Sequence, residues 1–172
     1  MTDERVQESP SGAPLRSATV RDFAGSELFE RTFQEGMELV EETAAYLDGM
    51  GRKESKLLSR NAAMAYAGES MRLTTRLMQI ASWLLVQRAV REGDMAVHEA
   101  QQDRYRVKPD SREPAEEGVE LPAGLLDLLG RSERLHERIL HLDRRMYVEA
   151  APVEAANPVQ SQMDMLRTAF GN

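Results

Sequence analysis

Glu133-Arg134-Leu135-His136 sets a carboxylate and an imidazole three residues apart. On a helix that is the spacing with which di-iron bundles grip a metal. Such a centre needs a second pair of this kind and carboxylates from two further helices. The other histidines, His98 and His141, have no carboxylate three residues before them. Glu133 and His136 also fall off the apolar stripe that contains Leu135, so the pair reads as a solvated helix face and no metal is expected. A second candidate is Gly49-Met50-Gly51-Arg52-Lys53-Glu54-Ser55-Lys56, where glycines and three cations precede a helix start. Helix N-termini favour anions. No strand precedes this stretch, however, and the spacing of a phosphate-cradling loop is absent. A capping turn with solvated cations is the simpler reading. The chain has no cysteine and no Gly-x-Ser-x-Gly elbow. Nucleophilic catalysis therefore has no recognisable carrier. No catalytic residue and no cofactor is predicted.

Composition narrows the class further. Of 172 residues, 41% are hydrophobic but only 5% aromatic, which suits aliphatic helix packing better than a β-rich core. A formal charge of −7 argues against a nucleic-acid binder and against an anionic membrane surface. Residues 1–21 lack the apolar core of a signal peptide, and the longest apolar run, near Ile80–Val86, is far short of a membrane span. A cytoplasmic protein without membrane insertion is expected.

Helical periodicity places the elements. Residues 1–22 carry Ser, Pro, Gly and charge and read as a disordered arm. Ser26, with Glu27 and Glu30 behind it, is a natural N-cap. Phe29, Phe33, Met37, Val40, Ala44 and Leu47 form the stripe of a first helix ending at Asp48, with Gly49 suited to a left-handed cap. A second helix is expected from about Ser55 to Arg91, roughly 50 Å long at about 1.5 Å per residue. Its core face is expected to hold Ala63, Ala67, Met71, Thr74, Leu77, Met78, Ala81, Leu84 and Leu85. A third helix begins at Leu121-Pro122 and runs to about Tyr147, with Leu125, Leu128, Leu135, Ile139, Leu142 and Met146 as its stripe. Met95–Arg106 allows a short helix, and Lys108–Glu117 reads as an exposed loop. The expected fold is all-α: an antiparallel three-helix bundle, up-down-up, over residues 23–147, with a flexible tail over 148–172.

Two features suggest partners rather than chemistry. On the back of the second helix, opposite its expected core face, lie Arg72, Arg76, Gln79, Trp83, Val86 and Val90. Trp and Arg anchor interfaces, so this face is a candidate partner or homodimer surface; the alternative is that Trp83 packs against residues 94–106. In the tail, Met163, Leu166 and Phe170 share a helical face beside Arg167. A short apolar motif on a linker suits tethering or docking in a groove.

Three stretches then point to a family: Tyr46-Leu47-Asp48-Gly49-Met50-Gly51-Arg52, the run Ala65–Gln79, and Ala81–Leu85 with Gln87–Val90. With Asn157-Pro158-Val159, Leu166 and Ala169-Phe170 they resemble the alphaproteobacterial RcdA family, regulators of CtrA degradation. The resemblance implies a dimerising three-helix bundle with a flexible C-terminus. It further implies an adaptor of the ClpXP protease in cell-cycle control, working with the ClpX unfoldase, a response-regulator-like priming factor, and cargo proteins or a further cargo-carrying adaptor. An enzyme with an atypical metal or phosphate site, and a purely structural homodimer, are the competing readings.

Overall fold

The computed structural model describes residues 22, 26–110 and 118–149, with side chains to Tyr147. Among the described residues five α-helices of four or more residues follow in order: α1 (Glu27–Asp48), α2 (Met50–Ser55), α3 (Arg60–Glu92), α4 (Val97–Ala100) and α5 (Ala123–Arg144). A 3₁₀ turn at Asp103–Tyr105 follows α4, and a π-type turn at Arg145–Glu149 extends α5. The all-α class is as expected. The arm over residues 1–21 and everything from residue 150 onward lie outside the described residues.

Local signals explain the boundaries. The Ser26 hydroxyl accepts the Phe29 N–H at 3.2 Å and starts α1. The expected second helix is two elements: α2 forms within the glycine stretch, the chain turns over residues 56–59, and Ser59 caps α3 by accepting the Ala62 N–H. Gly49 is not left-handed, with φ −105°. The left-handed cap is Gly93, φ +82°, which ends α3. Pro122 sits at the N-cap of α5, where no amide proton is needed.

Phe29, Leu39, Leu73, Leu77, Ile80, Leu84, Leu125, Leu128, Leu135 and Ile139 form the core between the three long helices. Helices α1 and α3 approach closely at Gly36, where a methyl group would come within 2.5 Å of Leu84 Cδ1. At the other end of α1 the Tyr46 ring lies against Gly51 and Gly124.

The direction of α5 departs from the up-down-up expectation. Arg138 pairs with Glu35 and Arg131 with Glu42, so α5 runs antiparallel to α1. Along α3, Arg76 meets Ser132, Trp83 meets Asp143 and Gln87 meets Tyr147. Residue numbers rise together, so α5 is parallel to α3. The order is up-down-down, because residues 93–110 carry the chain back along the bundle, from Asp143 at Arg106 to Arg76 at Asp110, before α5 begins.

Candidate functional site

That returning segment decides where a surface can exist. It lies along the α3–α5 groove as a strap, pinned in three places. Arg106 grips the Asp143 carboxylate, with Nη2–Oδ2 at 2.7 Å and Nε at 2.9 Å from both oxygens. His136 donates to the Lys108 carbonyl. Asp110 accepts from Arg76 at 2.7 Å and lies 3.8 Å from Arg72, which also pairs with Glu69 at 2.9 Å. Val97, Ala100 and Val107 on the strap are buried.

The candidate interface on α3 therefore belongs to the interior. Trp83 is 1% exposed and its indole N–H donates to Asp143 at 2.9 Å. Val86 and Val90 are buried beside it. Arg76 is buried and donates to the Leu129 carbonyl and the Ser132 hydroxyl as well as Asp110. Arg72 and Gln79 are partly covered. The physical reason is that α5 supplies the Asp143 carboxylate, the Leu129 carbonyl and the Ser132 hydroxyl, and the strap the Asp110 carboxylate, to polar groups that an isolated helix would have to leave in water.

The chemical candidates fare similarly. Glu133 is exposed while His136 is buried, so the two do not converge on one open face. Burial, and then the nearby Arg76 charge, hold His136 below the ordinary histidine range. Among the described residues no group of three or more His, Cys, Asp or Glu side chains could share a metal. Residues 50–55 are helical, so the glycines do not form an anion-cradling loop; Gly51 gives room to Tyr46 and Tyr66.

The face expected to be core is the one left open. Met64 and Met78 are 68% exposed, Met71 58% and Leu85 52%. Ala67 and Thr74 are also exposed, and of the expected core face only Leu77 and Leu84 are buried. A similar shift occurs on α1, whose deepest residues are Phe29, Thr32, Gly36, Leu39 and Thr43. Phe33, Met37, Val40 and Leu47 remain partly open and Ala44 fully so. The two leftover stripes meet in a groove of about 250 Å³ lined by Val40, Thr43, Ala44, Leu47, Thr74, Leu77, Met78 and Ala81. The Thr43 hydroxyl, buried at its floor, has no hydrogen-bond partner among the described residues. From residue 61 to 87 the exposed positions of α3 carry no charge. A contiguous apolar surface of this kind marks an interaction site. Sequence periodicity found its residues but assigned them to the core. The tail motif Met163, Leu166, Arg167 and Phe170 lies outside the described residues.

No helix among the described residues is long and apolar enough to cross a membrane. Comparison with known proteins gives a consistent relationship. No curated protein matches. The crystal structure of RcdA from Caulobacter crescentus CB15 is 66% identical, with a TM-score of 0.64, and the match covers 74% of this chain and 98% of that one. The model of a family described as a protein of unknown function (DUF1465) matches residues 20–170. The chain belongs to this family, which includes RcdA.

Proposed function

We propose that this protein is a non-enzymatic adaptor that binds cargo proteins, or a further cargo-carrying adaptor, and delivers them to the ClpXP protease in cell-cycle-regulated proteolysis in the cytoplasm. The observation that carries this reading is the 66% identity to RcdA over almost all of that chain. The molecule's architecture supports it: polar groups with catalytic potential are consumed in holding the strap, while a charge-free apolar face stays open. Partners in this reading are the ClpX unfoldase, a response-regulator-like priming factor, and cargo. Delivery raises the effective concentration of cargo at the unfoldase, so several modest contacts suffice.

The division of labour follows from the parts. The bundle holds cargo, and the tail motif Met163, Leu166, Arg167 and Phe170 reaches the protease. A reconstituted ATP-dependent degradation assay tests this. Leu166→Ala with Phe170→Ala should lower the degradation rate of cargo while leaving cargo affinity intact. Delivery at the unmodified rate would make the tail passive. Failure of the unmodified protein to accelerate degradation of any candidate cargo, with the priming factor present, would remove the adaptor reading itself.

A further inference from the structure

The groove between α1 and α3 and the tail motif match in length and in chemistry. One wall of the groove runs from Val40 through Ala44 to Leu47, the other from Thr74 through Met78 to Ala81. Seven positions separate the ends of each wall, so each is about 10 Å long. In the tail, Met163, Leu166 and Phe170 also span seven positions. Wound as a helix, they present an apolar strip of the same length, with anchors at the spacing of helix-in-groove docking. A helix that short needs a surface to form on, and the groove offers an apolar one.

The rims match in charge as well. The α3 rim carries none, since its exposed positions from residue 61 to 87 are uncharged. On α1 the ridge through Ala44 carries Glu41 and Asp48, both exposed and paired with no cation among the described residues. Arg167, beside the strip, is the single cation of residues 148–172. Facing the α1 rim, it leaves Ala169 on the α3 side of the strip, since the two lie on opposite flanks of a helix at about 100° per residue. The motif is also within reach. The Tyr147 hydroxyl donates to Gln87 Oε1 at 2.9 Å, so the described chain ends beside the C-terminal half of α3. From Gln87 the groove begins about 9 Å away along α3, at Ala81, and ends about 20 Å away, at Thr74; crossing the helix adds about 10–12 Å. Residues 150–162 span up to about 45 Å when extended.

We propose that the groove between α1 and α3 seats the chain's own C-terminal motif, with Met163, Leu166 and Phe170 in the groove and Arg167 on the α1 rim against Glu41 and Asp48. A short tether holds the motif at an effective concentration of about a millimolar. Even a weak contact then fills the groove from its own chain before the tail of another copy, at micromolar concentration, arrives. Any other ligand of the groove, or of the motif, has to displace this contact first. The inference does not rest on the adaptor reading, and its test needs neither protease nor cargo.

The chain contains no cysteine, so introduced pairs report contacts without interference. In the full-length protein, Thr74→Cys or Ser82→Cys, at the two ends of the α3 wall, is combined with Ala169→Cys. Glu133→Cys with Ala169→Cys is the control. Glu133 is exposed on α5 close to Arg131, which pairs with Glu42, so it stands at the height of the groove on another face. Under mild oxidation at micromolar protein, one of the two groove pairs should close within a single chain at least about tenfold faster than the control, and which one closes gives the direction of the motif. Adding Leu166→Ala and Phe170→Ala to that pair should slow closure to the control rate. Equal rates at groove and control, or fast closure that survives loss of both anchors, would overturn the proposal. Copies carrying one cysteine each, mixed at the same concentration, should not link. A mixed dimer of Thr74→Cys or Ser82→Cys with Ala169→Cys, forming as fast as internal closure, would give the groove to the tail of another copy and overturn it too.

Discussion

Arg76 and Asp110 offer a test in which the two halves of one ion pair should behave differently. The guanidinium of Arg76 is buried, and Asp110 holds one end of it at 2.7 Å with its carboxylate side chain 28% exposed. Replacing Asp110 with Ala strands the guanidinium inside the protein with only the Leu129 carbonyl, at 3.2 Å, and the Ser132 hydroxyl, at 2.8 Å. Removing one partner from a fully buried pair costs about 3–5 kcal/mol. Water can reach the Asp110 position, so part of the loss is recovered and about 2–3 kcal/mol is expected, the range of a hydrogen bond to a charged group. Replacing Arg76 with Met removes the buried charge itself. The Ser132 hydroxyl keeps its 2.8 Å bond to the Leu129 carbonyl, and Asp110 can turn to solvent. The change should stay within about 1 kcal/mol. Urea denaturation measures both: with a slope of about 2 kcal/mol per molar, Asp110→Ala should lower the midpoint by about 1–1.5 M and Arg76→Met by no more than about 0.5 M. If Arg76→Met costs as much as Asp110→Ala or more, the reading of Arg76 as an internal counterion for the strap is refuted.

Three further outcomes follow from the same geometry. Trp83→Ala should destabilise the fold by about 3–5 kcal/mol in chemical denaturation, the cost of emptying a buried aromatic site; a loss of self-association with stability unchanged would return Trp83 to the surface. Leu77→Asp should abolish the cooperative melt by burying a carboxylate without a counterion, whereas Met78→Asp, one position on, should keep its helicity in circular dichroism. His136 is held below the ordinary value of 6.5 by burial and by Arg76, with Asp110 and Glu137 acting in the opposite direction. As pH falls through 6.5 the unfolded chain binds a proton that the folded one resists, so stability should drop between pH 7 and 5. His136→Asn should show a shallower drop; an identical pH profile would mean that His136 protonates freely in place.

The sequence alone determined the helical class, the N-cap at Ser26, the start of the last helix at Pro122 and the C-terminal half of the long helix. These are local facts, set by side-chain capping and by the period of apolar residues within one element. It also supplied the residues whose spacing identifies the family. What it left open was phase and direction. Helix α3 carries apolar residues around much of its circumference: Leu73, Leu77, Ile80 and Leu84 on one side, and Met64, Met71, Met78 and Leu85 on another. Periodicity cannot say which set faces inward. The choice was made by residues far along the chain. Asp143 and Arg106 give Trp83 a hydrogen-bonded interior, and Asp110 neutralises Arg76. Those partners offset part of the cost of burying Trp83 and Arg76, and the methionines, which need no polar partner, are left outside. The direction of α5 was likewise invisible in its own sequence, because a helix packs equally well either way until the connection before it is pinned. Only the folded strap, held to Asp143, His136 and Arg76, fixes both.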